Sequence, residues 1–133
     1  MDVVAAETEF VPGQAVTVAA DSRSVSFSAV FEKDGDTGYF YALDTSRPDH
    51  RIVDALHVYN VKDIVDRHKP SRAQVLWSAD GLRVVLRING NPHAAFDFEK
   101  SRGYCRTNFP PPSPRGFSSE SHAWSDDVLA FFK

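Results

Sequence analysis

Between residues 73 and 98, three apolar runs are separated by Asp80-Gly81 and Asn89-Gly90. Asp-Gly and Asn-Gly readily adopt the positive backbone angles of tight hairpin turns. Alternating residues on either side of such turns specify an antiparallel meander. The register is equally constrained, because a slip of one residue sends every apolar side chain to the opposite face. A two-residue type I′ turn at Asp80-Gly81 sets Trp77 opposite Val84 and Val75 opposite Leu86, so both strands put apolar residues on one face. A two-residue turn at Asn89-Gly90 would set Leu86 against His93 and Val84 against Ala95, expelling Phe96 and Phe98. A three-residue loop, Asn89-Gly90-Asn91, with a bulge and a left-handed Asn91, restores the match: Leu86 meets Ala94 and Val84 meets Phe96. The predicted inward set is Trp77, Val84, Leu86, Phe96 and Phe98. The predicted outward polar set is Arg83, Arg87, His93 and Asp97, with Arg83 opposite Asp97 and Arg87 opposite His93. A further outward row, Leu76, Val85 and Ala95, is apolar enough to be covered by another element.

The rest of the chain reads as further β structure with short helical pieces. In residues 24–44, Val25, Phe27, Ala29 and Phe31 alternate with Ser26, Ser28 and Glu32, the period of a strand with one solvated face. The turn formers of residues 33–38 follow, and residues 39–43 return as a second strand, apolar on both faces and therefore internal to a sheet or covered. Residues 52–59 favour a strand by their β-branched and aromatic content, although Ile52, Ala55, Leu56 and Tyr59 also fit a helical stripe. Asn60 reads as the cap of a short helix ended by Lys69-Pro70. Residues 1–23 read as an irregular lead-in with one strand near residues 15–20. Residues 99–121 include Pro110-Pro111-Pro112 and Pro114, which hold the chain extended. Ser125 caps a last short helix, with Asp126 and Asp127 in its first turn. Trp124, Phe131 and Phe132 are expected to dock that helix on the core. The predicted fold is a single domain over residues 1–133, α+β but predominantly antiparallel β. It is a sheet or sandwich of hairpins with a three-strand meander at 73–98 and one or two short helices. A chain of 133 residues buries enough surface to need no disulfide or metal staple.

Composition narrows the function more by exclusion than by assignment. A net charge of −3 opposes binding to nucleic acid phosphates. Lys100, Arg102, Arg106 and Arg115 interleave with Tyr104 and Phe109 as in single-strand binders, but the acidic balance disfavours that reading. Cys105 is the one cysteine and cannot close an internal disulfide. The N-terminal residues lack a signal peptide's basic and apolar regions, and no apolar run reaches the length of a membrane span, so a cytoplasmic protein is expected. The five histidines, His50, His57, His68, His93 and His122, show no i, i+4 spacing of a zinc protease. Asp34-Gly35-Asp36 opens like a calcium loop but lacks the later ligands. Nucleophile-elbow and phosphate-loop motifs are missing. No catalytic residue, metal or cofactor is therefore expected.

Several stretches carry a resemblance. Gly38-Tyr39-Phe40-Tyr41-Ala42-Leu43-Asp44, Asp54-Ala55-Leu56-His57-Val58-Tyr59-Asn60-Val61, Trp77-Ser78-Ala79-Asp80-Gly81, the segment from Ile88 through Phe98, and Gly103-Tyr104-Cys105-Arg106 together cover most of residues 30–110. In these the chain resembles a bacterial family of small proteins classed as a domain of unknown function. That resemblance brings no enzymatic mechanism and no catalytic residue. Small proteins of this kind also resemble immunity partners of toxins delivered between bacterial cells. The implied function is a non-catalytic protein-binding domain, an immunity protein that neutralises a toxin encoded nearby by direct binding. Candidate contacts are Asp34, Asp36 and Tyr39 at one hairpin, with Arg87, His93 and Tyr104 on or near the meander's outer face. An uncovered sheet face would equally serve a homodimer. The alternative is a small enzyme or ligand-binding domain with a pocket involving Cys105, His57 or His93.

Overall fold

A computed structural model describes residues 3–11, 14–22, 24–34, 37–46, 51–60, 70–107, 109 and 122–132. They form nine strands: β1 (Val3–Phe10), β2 (Val16–Asp21), β3 (Phe27–Lys33), β4 (Thr37–Asp44), β5 (Arg51–Asn60), β6 (Ser71–Trp77), β7 (Arg83–Ile88), β8 (Asn91–Asp97) and β9 (Arg102–Cys105). Two antiparallel sheets result. The five-stranded sheet has the order β1-β6-β7-β8-β9, and the four-stranded sheet the order β2-β3-β4-β5. The β5 strand settles the ambiguity at residues 52–59 in favour of a strand.

The two sheets face each other across one apolar core. Ala29, Phe31, Phe40, Ala42 and Leu56 come from the four-stranded sheet, and Val75, Val84, Leu86, Ala94 and Phe96 from the five-stranded sheet; all are fully buried. Burying each large apolar side chain stabilises the fold by roughly 1.5–3 kcal/mol. Aromatic pairs cross the interface: Phe40 stacks on Phe96 with centroids 5.2 Å apart, and Phe27 on Phe98 at 4.5 Å. Trp77 also stacks on Phe98 at 5.5 Å and donates its indole N–H to the Ala20 carbonyl of the opposite sheet at 3.2 Å. The indole thereby keeps its polar atom satisfied inside the core.

The predicted meander register is present: Trp77 pairs with Val84, Val75 with Leu86, Leu86 with Ala94, Val84 with Phe96 and Arg83 with Asp97. The turns that produce it differ from expectation. At the first, Gly81 N–H closes a β-turn on the Ser78 carbonyl at 2.9 Å, and Ser78 N–H reaches the Arg83 carbonyl at 2.8 Å. Gly81 has φ of 73°, while Asp80 is not in the positive region. This is a four-residue loop rather than a two-residue type I′ turn. It keeps the register because two added residues preserve the alternation. At the second turn, Asn89 (φ 52°) and Gly90 (φ 82°) form a two-residue turn with both angles positive. Asn91 already belongs to β8, pairing with Ile88. The extra residue sits one step later: Arg87 pairs with Pro92, not with His93 as expected, and Leu86 with Ala94, which leaves His93 in a bulge. Asn-Gly thus keeps its preferred turn, and the irregularity falls beside Pro92, which has no N–H to lose from the ladder.

Other expectations are corrected outright. The lead-in is not irregular but supplies two strands, with β1 at the edge of the five-stranded sheet against β6. Among the described residues there is no α-helix, so the α+β description gives way to an almost wholly β architecture of two sheets. The expected helix after Asn60 falls on residues 61–69, outside the described residues, and Asn60 itself ends β5. The C-terminal helix is a 3-10 helix, Asp126–Phe132. Ser125 caps it as predicted, its hydroxyl accepting from Asp127 N–H at 3.3 Å. Val128 and Phe132 close over Leu76, Val85, Ala95 and Tyr104, covering the apolar row on the outer face of the five-stranded sheet.

Arg83 and Asp97 are not part of an outward surface. They are 4% and 1% exposed, with Arg83 Nε 3.3 Å from Asp97 Oδ1. Asp80 and Glu99 approach the same guanidinium at 3.0 and 3.4 Å from the solvent side. Asp97 Oδ1 also accepts from the Glu99 and Lys100 N–H groups at 3.0 and 3.1 Å.

Candidate protein-binding surface

The outer faces of the two sheets differ in kind. Alternation along β4 sends Phe40 and Ala42 into the core, so Tyr39, Tyr41 and Leu43 project outward. The pairings extend this pattern into rows. Thr17, Glu32, Tyr39 and His57 lie side by side across four strands, and Ala19, Val30, Tyr41 and Ala55 form the next row. Beyond His57 the Phe109 carbonyl accepts the His57 N–H at 2.8 Å, so the chain after β9 lies along the edge of β5. Thr107 fixes this approach, its hydroxyl donating to the His57 carbonyl at 2.8 Å.

Aromatic rings run continuously across this face. Tyr39 stacks on Tyr41 at 5.9 Å and meets the His57 ring edge-on at 5.3 Å. His57 in turn meets Phe109 at 5.8 Å and 90°. The two exposed large hydrophobics of the described residues, Phe109 at 48% and Ile52 at 54%, both belong to this surface. Ile52 arrives there because β5 carries an irregularity between Asp54 and Ile52, which pairs it with outward Leu43. Acidic groups border the rings: Glu32 beside Tyr39, and Asp34 at the β3–β4 turn, where its carboxylate accepts from Thr37 N–H at 2.8 Å. The Tyr41 phenol is held above its ordinary pKa, first by partial burial and then by the negative fields of Glu32, Tyr39 and Asp34.

The expected contact residues fall into two groups that the fold separates. Asp34 and Tyr39 are on this aromatic face, while Asp36 lies outside the described residues. Arg87, His93 and Tyr104 belong to the other sheet, so the two groups cannot contribute to one interface patch. Tyr104 is buried at 6% beneath the C-terminal segment, with the Arg102 guanidinium 4.9 Å above its ring. His93 occupies the β8 bulge, its carbonyl accepting from Arg106 N–H at 3.3 Å. Burial and, second, the Arg106 charge lower the His93 pKa. Arg87 is half-buried and donates from Nη2 to Gln74 Oε1 at 3.1 Å. Tyr41, Ile52 and Phe109 were not among the expected contacts. For Tyr41 the signal was the double-sided apolarity of residues 39–43, which suits a solvated aromatic face as well as a covered one; Ile52 and Phe109 carry no such signal.

The residues of the expected alternative pocket occupy different settings. Cys105 is fully buried in the core between the sheets, His57 faces outward, and His93 sits in the bulge. Near Cys105 the sheets are joined by a polar seam. His122, 1% exposed, holds its Nε2 3.2 Å from Asp54 Oδ1, and its carbonyl accepts the Cys105 N–H at 2.8 Å. Gly103 permits this approach, because a Cβ there would come within 2.9 Å of Asp54 Oδ2. Among the described residues no three His, Cys, Asp or Glu side chains gather as a metal-binding group. No helix of the described residues is long and apolar enough to cross a membrane.

Comparison with known proteins finds relatives in bacteria. An uncharacterized protein of Haemophilus influenzae (strain Rd) is 45% identical over 86 residues, which is 65% of this chain and 53% of that relative's length. The chain therefore matches only about half of that longer relative. No solved structure matches the chain. The family described as an uncharacterized protein conserved in bacteria, DUF2251, matches residues 10–133, from the end of β1 through the C-terminal 3-10 helix, and the chain belongs to that family.

Proposed function

We propose that this protein is a non-catalytic protein-binding domain that engages its partner through the outer face of the four-stranded sheet. One observation carries the reading. Among the described residues, both exposed large hydrophobics lie on that face, beside a continuous Tyr41–Tyr39–His57–Phe109 aromatic array. The opposite sheet, by contrast, has its apolar row covered by the chain's own C-terminal segment. Tyrosines that combine a large apolar body with a hydroxyl are favoured interface anchors. The flanking Glu32 and Asp34 favour a partner with a basic rim, and the net charge of −3 would speed their encounter. In its most specific form the proposal is an immunity protein that occludes a toxin encoded nearby. Co-expression with the product of the adjacent gene tests it, reading both complex formation by size-exclusion chromatography and relief of growth arrest. Tyr39→Ala and His57→Ala should weaken the complex while the fold is retained, the unfolding midpoint falling only by the loss of a cross-strand ring pair, about 0.2–1 kcal/mol. No complex and no rescue would refute the immunity form. A complex unaffected by either substitution would refute the assignment of this face.

A further inference from the structure

Beneath the C-terminal 3-10 helix lies a half-open cleft of about 190 Å³. Leu76 and Val85 of the five-stranded sheet form its floor, Leu129 and Phe132 of the helix its roof, and Arg87 and Pro92 line its end near the Asn89-Gly90 turn. It is distinct from the aromatic face proposed above, being on the far side of the sandwich. Its side-chain lining is apolar apart from one cation. Arg87 directs Nη2 to Gln74, which is itself committed to Glu7 Oε2 through Nε2 at 2.7 Å. The Arg87 Nε is buried, which leaves the terminal Nη groups as the donors on the cleft side.

We infer that this cleft is a binding site for a small monocarboxylate with a compact apolar body. The chemistry follows from the two halves of the site. A guanidinium offers donors only and pairs with a carboxylate through parallel N–H groups. With Nε buried, the carboxylate would meet Arg87 end-on at its terminal Nη groups, and Gln74 holds the guanidinium in place for it. The remaining space suits an aromatic ring or a short alkyl chain, since a cavity of about 150 Å³ accommodates benzene. A phosphate would place additional charged oxygens against Leu76, Val85 and Leu129, where nothing polar in the lining answers them. A neutral alcohol of the same shape would leave the cation unneutralised. For ligands of about nine non-hydrogen atoms, affinities in the millimolar to high-micromolar range are expected.

The test is a titration of the isotopically labelled full chain with benzoate and hexanoate, followed by backbone amide shifts. Benzyl alcohol, hexanol and acetate serve as matched controls. Saturable shifts confined to residues 85–92 and 128–132 are expected for the two carboxylates. The alcohols should bind about tenfold more weakly or worse, because they cannot use the charge. Acetate, which has the charge but no body, should bind as weakly. Arg87→Gln should lose about tenfold in benzoate affinity, and Leu129→Trp should block the cleft with the amide spectrum elsewhere unchanged. Equal binding of benzoate and benzyl alcohol, or unaltered benzoate affinity in Arg87→Gln, would overturn the assignment to a carboxylate site. Wild-type shifts that are absent or spread evenly over the surface would overturn the site itself. Should Arg87→Gln fail to fold, unchanged benzoate binding by Leu129→Trp is the refuting result.

Discussion

Replacing Arg83 by methionine removes a guanidinium that faces three carboxylates in very different settings. The Asp97 side chain is 2% exposed, whereas those of Asp80 and Glu99 are 47% and 58% exposed. The last two are solvated and each contributes at most about 1 kcal/mol through the pair. Asp97 is different. Without Arg83 it keeps the two N–H groups of Glu99 and Lys100 but loses its counter-charge in a dry position. Breaking one side of a buried pair costs about 3–5 kcal/mol, and the two surviving hydrogen bonds put Arg83→Met near the lower end, about 3 kcal/mol. Methionine retains most of the apolar stem, so lost packing contributes little. Glu99→Gln should cost less than about 0.5 kcal/mol. Urea unfolding at neutral pH measures both, with the slope unchanged and only the midpoint shifted. A second substitution isolates the cause: in Arg83→Met, the further change Asp97→Asn should recover about 1 kcal/mol, since a neutral amide oxygen still accepts both N–H groups without an unpaired charge. If the double variant is less stable than Arg83→Met alone, the stranded carboxylate is not the source of the loss. Equal midpoints for Arg83→Met and Glu99→Gln would refute the reasoning altogether.

The lowered His93 pKa links stability to acid. Between that value and the ordinary histidine value of about 6.5, the unfolded chain binds more protons than the folded one, so stability rises with pH through this window and falls as pH drops through it. His93→Gln should flatten the fall in the urea midpoint below about pH 6.5. Gly103→Ala would press a Cβ against Asp54 Oδ2 at 2.9 Å, Leu56 Cδ2 at 3.0 Å and Phe96 Cε1 at 3.2 Å. A loss of about 1–3 kcal/mol in thermal or chemical unfolding is expected. Cys105 is fully buried, so iodoacetamide should label it only after unfolding, at a rate that mass spectrometry follows across a urea series.

The sequence carried the meander further than its turns. Apolar alternation selects the pairing of Leu86 with Ala94 and Val84 with Phe96, but an extra residue satisfies that pattern equally well at Asn91 or at His93. Local turn preference decided for His93, because Asn-Gly keeps both its positive φ angles there. Alternation also assigns a side chain to a face without saying how deep it lies. Arg83 and Asp97 do take one face together, yet the loops and chain around them shut out solvent. Strand β1 was hidden for a different reason. Its partner β6 is far away in sequence, and Val3-Val4-Ala5-Ala6 carries no turn or alternation to announce a strand. The aromatic outer face was written in Tyr39 and Tyr41, but exposure depends on what else packs nearby. That is a property of the assembled sandwich, in which the C-terminal segment went to the opposite side.

The pairing of β1 with β6 has a consequence for how the molecule is made. Strands β2, β3, β4 and β5 are neighbours both in sequence and in space, so the four-stranded sheet can grow by successive additions as the chain leaves the ribosome. Strand β1 precedes them in the chain, yet it must wait until Ser71–Trp77 has been synthesised before it finds its ladder. Contacts of that sequence separation are slow to close. Strand β1 is therefore secured only after all four strands of the other sheet have emerged, and it is where a nascent chain would present an unpaired strand to a chaperone.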